Sequence, residues 1–535
     1  MSLDAALADW RCTLGAANVI EDTASLRATE KATFATSFRI PALIRPGSRE
    51  DVQESVRIAR QYGIAVYPVS RGCNWGFGSR VPPANGCVVM ELARLDRIRA
   101  FDEALAYVTV EPGVTQSMLH KFLQERKSRL VFPIIGSSPR ASLIGNALER
   151  GAGAGPGGYR ADNVCNLEVV LPDGSLFSNA AEFGSATPLT RDMCGPGLDQ
   201  LFFQSNLGVV TAMTFWLTSL GSHPQICYFA AQNEAGLATL VDGLRGLLLH
   251  GIIRPSFSIR NDYRTMAARQ QYPWDAMEGR VPLPRTLIQR INSIFGSRAW
   301  WGAQWKGFVW LQGGSAAHAA ALREVIADRL SNASDRLVFI DDNEIHISRW
   351  DMPGTVEQIR ASFKGSQPTH DFRSLPRTWA AQDAYWRKRT PPPNDPDPSR
   401  DGCGEVYCAP QVPITGEHIT RVCGILESVI LGHGFEPCLN VIVMNERCTY
   451  VAAQVFFDRE TPGEDERALK CRQDAHEMVR AAGYPVHRTD ILDMSRIASA
   501  NPARSHFAAT LKLALDPDNL ISPGRYEAIS NPRAL

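Results

Sequence analysis

The sequence predicts an α+β protein of two or three domains, and three observations carry that prediction. At 535 residues the chain is too long for one hydrophobic core, because chains beyond roughly 250–300 residues split into separate domains. Up to about residue 220, strand, helix and loop patterns alternate and are interrupted by two glycine-rich loops. From about Gly221 the texture changes to longer helical patterns separated by loops rich in Trp and Pro, and after Gly483 it shifts again.

The elements follow in order. Ile44-Arg45-Pro46-Gly47-Ser48 reads as a strand end and turn. Ser48 is placed to cap a helix that carries Val52, Val56, Ile58 and Ala59 on its apolar side and stops at Gly63. Ile64 to Val69 is then a short strand that runs into Ser70-Arg71-Gly72-Cys73-Asn74-Trp75-Gly76-Phe77-Gly78-Ser79, a stretch too rich in glycine for helix or strand. Cys87 to Leu92 and Ala106 to Val110 read as strands, and Glu111-Pro112-Gly113-Val114-Thr115 as a turn that opens a helix. The second glycine-rich region, Gly136 to Gly158, holds a helical stretch at Ser142 to Glu149 and ends in Gly151-Ala152-Gly153-Ala154-Gly155-Pro156-Gly157-Gly158. Asp173-Gly174 between the apolar runs Leu167–Leu171 and Leu176-Phe177 signals a hairpin. Gln204 to Leu217 is a further strand region, Ala235 to His250 and Ala316 to Leu330 are helical, and Thr390 to Asp401 reads as a surface loop or partly disordered excursion.

Composition removes several function classes. Fifty-six basic side chains are matched by 56 acidic ones, with no Lys/Arg run, so a nucleic-acid partner is not expected. The first residues mix Asp4, Asp9, Trp10 and Arg11 with alanines, which suits neither a signal peptide nor a spanning helix, and a cytoplasmic protein without a membrane partner is expected. Twelve cysteines are scattered with no CxxC pair and no His at metal-ligand spacing; they read as buried or idle thiols, with no metal site.

The two glycine loops point to a ligand. A flavin dinucleotide carries a diphosphate, which main-chain N–H groups hold well when they converge from a loop without bulky side chains. One such loop alone is as well explained as a turn; two at strand ends in one domain favour the ligand. Gly153-Ala154-Gly155-Pro156-Gly157-Gly158 matches the GxGxxG pattern, but a helical stretch precedes it and no helix opens at it, so a nicotinamide site is not expected there.

Six segments in order then resemble the vanillyl-alcohol oxidase and p-cresol methylhydroxylase family of FAD-linked oxidases. They are Pro68 to Gly78, Val110 to Val114, Gly145 to Gly151, Leu167 to Gly174, Gln204 to Thr211 and Asp516 to Gly524. The resemblance implies a FAD-binding domain of two α+β subdomains, formed by residues 1–220 and completed by 484–535. Residues 221–483 would form a cap with a large antiparallel sheet flanked by helices. It implies FAD contacts at Pro68, Ser70, Arg71, Gly72, Cys73, Asn74, Trp75 and Pro112, at Gly136, Ser137, Ser142, Gly145, Asn146, Glu149 and Gly151, and at Gly208, Val209, Val210 and Arg525. The substrate, a small molecule, would lie between domain and cap and give a hydride to the flavin N5, with oxygen or an electron-carrier protein as final acceptor; a homodimer is common in the family.

The same resemblance places four residues at the reacting end. His487 stands where the family has a phenol-binding tyrosine, Arg488 retains its arginine, Phe77 replaces another tyrosine, and Tyr159 falls where one type of relative has an aspartate. Two phenolic donors are thereby reduced to one imidazole, which leaves Arg488 as the main fixed positive charge and makes a simple 4-hydroxybenzyl substrate doubtful. His487 is suited to act as base or hydrogen-bond donor; an exposed interdomain pair is the alternative. Tyr450 aligns with the residue through which relatives attach FAD covalently, a strand tyrosine that simply packs being the other reading. Gly72-Cys73-Asn74 has no histidine for a double linkage. Two further functions stay open: a 2-hydroxy acid dehydrogenase using Arg488 for the carboxylate, and a FAD-binding partner protein without catalysis.

Overall fold

The structure is a computed structural model that describes residues 2–153, 155, 159–178, 190–191, 194–255, 257–277, 281–294, 302–350, 357 and 383–527. The part of the glycine run at Ala154 and Pro156-Gly157-Gly158 lies outside the described residues.

The helix predicted after Ser48 spans Arg49–Tyr62. The Ser48 hydroxyl accepts from the Asp51 N–H at 3.0 Å, and Gly63 ends the helix in the left-handed conformation at φ 64°. Its buried face packs between two sheets, sharing one core with Val66, Val88 and Met90 of the first and Val170 and Val209 of the second. The N-terminal helix Leu3–Leu14 covers it from outside through Trp10.

The first sheet has four strands in the order Val19–Ile20, Leu43–Ile44, Val88–Glu91, Val66–Val69; the last three run parallel. The second has five, all antiparallel, in the order Ile98–Asp102, Tyr107–Val110, Val209–Trp216, Val164–Val170, Leu176–Ser178. Gly174 turns its predicted hairpin at φ 80°.

The far end of the chain closes the first sheet. Ile521 bridges to Val66 in parallel, and Ser522 N–H donates to the Val66 carbonyl at 2.8 Å. Asp516 accepts from the Leu520 and Ile521 N–H groups, while buried Lys512 donates to Asp516, to the Asn206 carbonyl and to the Ile521 carbonyl. The Asp516-Pro517-Asp518-Asn519-Leu520 motif is therefore a backbone clamp.

Residues 223–458 supply an antiparallel sheet of nine strands. Its order is Ile345–Trp350, Arg336–Ile340, His223–Ala231, Trp305–Gly313, Ser258–Asn261, Cys438–Val443, Cys448–Asp458, Cys403–Cys408, with Gln411–Pro413 also paired to Cys448–Asp458. Side chains alternate across it. Ile259, Val441, Val451, Val455 and Val406 face a core shared with the helices Glu234–Leu249, Gly416–Gly432 and Glu464–Ala481. Each fully buried Val or Leu there contributes roughly 1.5–3 kcal/mol relative to exposure, which fixes the register and sends the intervening residues to the opposite face. With two α+β sheets and a large antiparallel sheet carrying helices, the predicted fold class holds.

The Thr390 to Asp401 segment is a loop, mostly exposed as expected, but it is anchored at one point. Pro396, Pro398 and Ser399 are buried, and Ser399 Oγ lies 2.6 Å from Ser79 Oγ of the first glycine loop. Pro396 and Pro398 hold this short stretch against the glycine loop while the rest of the segment stays on the surface.

Replacing Lys512 by Met leaves the buried Asp516 carboxylate without its counter-ion. Chemical denaturation of the FAD-loaded protein is expected to show a loss of about 3–5 kcal/mol; a loss below 1 kcal/mol would remove Lys512 as the clamp.

Candidate active site

Both glycine loops and the free face of the large sheet enclose one cavity of about 340 Å³. On one side, the N–H groups of Arg71, Gly72, Cys73, Asn74 and Trp75 make no hydrogen bond to an acceptor among the described residues. The loop is held by other contacts: Arg71 Nε donates to the Gly113 carbonyl at 2.8 Å, Gly76 N–H donates to Thr33 Oγ1, and Phe77 and Ser79 N–H groups donate to the Asn74 carbonyl. Gly72 and Gly76 sit at φ 71° and 75°, and a Cβ on Gly76 would collide with the Tyr407 ring. The second loop adds Gly136, Ser137 and Gly145; the Ser137 hydroxyl is buried without a partner among the described residues. Five free amides and a free hydroxyl on one wall suit a diphosphate, so the donor set fits FAD.

Pro112, Tyr159, Gly208, Val209 and Val210 do not line this cavity. The Pro112 carbonyl accepts from Ser142 Oγ at 2.6 Å and so orients the Ser142 cap of the helix Leu143–Leu148. Val209 and Val210 open a buried strand, and Gly208 packs against Val169 and Val170. The Tyr159 hydroxyl donates to the Arg150 carbonyl at 2.7 Å behind the wall. The other expected FAD contacts line the cavity, as do Phe77, Tyr450, His487 and Arg488.

Glu149 joins three distant segments. Its carboxylate accepts from Arg525 and from the Tyr526 hydroxyl, and lies 3.3 Å from Arg488 Nε. Burial alone would raise this carboxyl, but Arg525 and Arg488 hold it below the ordinary range. Arg488 also donates to Asn74 Oδ1 and lies 4.0 Å above the Phe77 ring, which in turn stacks on Tyr407 at 4.7 Å. The exposed alternative for this pair fails: His487 is 8% exposed and the Arg488 side chain 12%.

Both ring nitrogens of His487 are engaged. Nε2 is 3.0 Å from the Arg150 carbonyl, Nδ1 is 3.2 Å from Gln411 Nε2, and the ring stacks on Tyr450 at 4.5 Å. The neutral tautomer that satisfies both donates from Nε2 and accepts at Nδ1. Burial pushes the ring down to about 4; the Arg150 carbonyl works against this and the Arg488 charge adds to it. A ring so occupied orients the wall and has no free lone pair for a substrate proton.

The roof contains groups that the sequence reading did not single out. On the cavity face of the large sheet stand Arg260, Asn440, Glu405, Tyr407 and Gln454, with Arg264 and Asp383 beside them. Gln454 Nε2 donates to Glu405 Oε1 at 3.0 Å and to the Tyr407 hydroxyl. Burial raises the Glu405 carboxyl, and the Gln454 and Tyr407 bonds only partly offset it. The available signal was alternation: Glu405-Val406-Tyr407-Cys408 and Ser258-Ile259-Arg260-Asn261 switch polar and apolar in a region otherwise read as helical.

Residues 40–178 match the family model described as FAD binding domain. Together with the amide wall this defines a FAD-binding flavoprotein. A protein of Chondromyces crocatus named 1'-carboxy-chondrochloren decarboxylase is 41% identical over 533 residues, covering 98% of this chain and 97% of its own. The 4-cresol dehydrogenase [hydroxylating] flavoprotein subunit of Pseudomonas putida is 26% identical, covering 97% and 94%. The solved structure of p-cresol methylhydroxylase with substrate bound shares the fold at a TM-score of 0.85 and 22% identity, covering 99% and 97%. The chain belongs to the vanillyl-alcohol oxidase and p-cresol methylhydroxylase family of FAD-linked oxidoreductases.

The depressed His487 ring makes a pH prediction. Between about pH 6.5 and 4 the unfolded chain binds a proton at this ring and the folded chain does not, so stability is full above 6.5 and falls towards 4, by roughly 3 kcal/mol. His487→Asn should flatten that portion of the stability profile against wild type; identical profiles would show that the ring does not titrate this way.

Proposed function

We propose that the chain is a FAD-dependent oxidase or dehydrogenase that removes a hydride from a C–H bond of a small organic substrate, an aromatic ring being the preferred neighbour of that bond. The observation that carries this reading is the cavity itself, with free amides on one wall and an aromatic and cationic shelf of Phe77, Tyr407 and Arg488 on another. When bound, FAD supplies a hydride acceptor at N5. The chain's own part is to hold the diphosphate through Arg71 to Trp75 and Ser137, to stack a ring against the shelf, to offer the Arg488 charge to a developing anion, and to exclude water beneath the roof. Glu405, whose carboxyl burial raises, is the group in the roof suited to exchange a proton with substrate.

A second reading follows from the relative named as a decarboxylase and from the excess of arginine around the cavity. In it the substrate is a carboxylic acid. The carbon β to the carboxylate gives up a hydride, the bond from the α carbon to the carboxylate breaks, its electron pair forms the C=C bond, and CO2 leaves. Charge and electrons balance with the hydride on the cofactor.

Anaerobic mixing of the FAD-loaded protein with alkylphenols, amines, 2-hydroxy acids and arylalkanoic acids separates these readings. Bleaching of the flavin by a phenol or amine supports the first, and bleaching with stoichiometric CO2 supports the second. No bleaching by any donor would leave a binding protein without catalysis. Arg488→Ala is expected to lower the reduction rate tenfold or more and to weaken anionic inhibitors; an unchanged rate would take Arg488 out of the site.

Tyr450 lines the cavity, and burial pushes its hydroxyl up to about 12. A tyrosyl link to the flavin needs the phenolate, so the expected result of acid precipitation is a colourless pellet, a yellow supernatant and a chain of unmodified mass. A coloured pellet heavier by one FAD would establish the link instead.

A further inference from the structure

Among the described residues six arginines line the cavity, Arg71, Arg150, Arg260, Arg264, Arg488 and Arg525, against three acids, Glu149, Asp383 and Glu405. With all three acids ionised, the cavity carries three positive charges beyond balance. The FAD diphosphate neutralises two, whereas burial of Glu405 favours its neutral form and so adds to the positive surplus. At least one positive charge is left for another anion.

Arg71, bonded to the Gly113 carbonyl, and Arg150 belong to the two glycine loops on the FAD side, and the remaining four differ in their partners. Arg488 and Arg525 share Glu149, and Arg264 is paired with Asp383. The Arg260 side chain has no hydrogen bond or ion pair among the described residues, and its Nε is buried with no partner. It sits on the strand Ser258–Asn261, opposite Asn440 in the register, on the sheet face that roofs the cavity. Arg260 belongs to this strand and to neither glycine loop. Arg260 is half-buried as a residue, and a guanidinium nitrogen buried without a partner is costly unless a ligand completes it. Its planar fork matches a carboxylate. Burial first, and the neighbouring Arg264 next, push its pKa down to about 10, with the Asp383 charge working the other way.

We propose that Arg260 binds a carboxylate of the substrate, so that the substrate is a small organic acid anchored by its carboxylate to the roof. Asn440, its register neighbour, is placed to donate to the same group, and Arg264 adds charge while Asp383 holds it in position. The inference rests on the FAD-dependent reading above and deepens it by naming the substrate class. It holds whether the carboxylate is retained or leaves as CO2.

The test is calorimetric titration of the FAD-loaded protein with 3-(4-hydroxyphenyl)propanoate and with its primary amide, in wild type, Arg260→Ala and Arg260→Lys. Wild type is expected to bind the acid at least tenfold more tightly than the amide. Arg260→Ala should lose that preference while its FAD content and its amide affinity stay unchanged, and Arg260→Lys should keep part of it. An acid that binds wild type no better than the amide, including no binding of either, overturns the proposal, as does an Arg260→Ala protein with the full preference. Should Arg260→Ala fail to fold, the wild-type comparison and Arg260→Lys decide. Flavin bleaching by neutral phenols with no acid preference would sink the subsite and keep the oxidoreductase. An Arg260-dependent acid preference in a protein that no donor reduces would keep the subsite and sink the oxidoreductase.

Discussion

The buried carboxylate of Glu149 is the interaction on which the arrangement of the site depends. It lies at the end of the second glycine loop's short helix, yet it engages Arg488 from beyond the large sheet and Arg525 and Tyr526 from the C-terminus. A carboxylate this buried is tolerable because its charge is met by Arg488 and Arg525 together. The consequence is geometric: Arg488 is held over Phe77 and beside Asn74, at the junction of amide wall and cap.

A second constraint shapes the other half of the cavity. The large sheet buries one face against helices, so strand periodicity sends every other side chain to the cavity. One-residue slippage would exchange Val441 and Val451 for Asn440 and Tyr450, putting polar groups in the core. Hydrophobic packing remote from the chemistry thus decides which groups meet the ligand.

Much of the fold was legible because its signals are local. Ser48 and Gly63 bracket a helix through capping, Gly174 turns a hairpin, and the loop from Ser70 to Ser79 needs its glycines for left-handed backbone and for the close approach of Tyr407. The large sheet was legible only through resemblance, since its strands are interleaved with helices that dominate the pattern. His487 illustrates the limit at the site. Its position near the cavity could be anticipated, but the loss of both lone-pair and proton to Gln411 and Arg150 could not, because those partners come from other parts of the chain.

By itself the sequence determined the class of the protein through resemblance: six ordered motifs, the two glycine loops among them, are contiguous stretches that can be read without knowing any distant partner. Only the tertiary structure decided which charges are spent on one another and which remain. Arg264, Arg488 and Arg525 meet acids, whereas Arg260 faces the cavity without one. In the linear chain these arginines look alike; they differ because charge pairing acts over a few ångströms in space, and folding alone sets those distances.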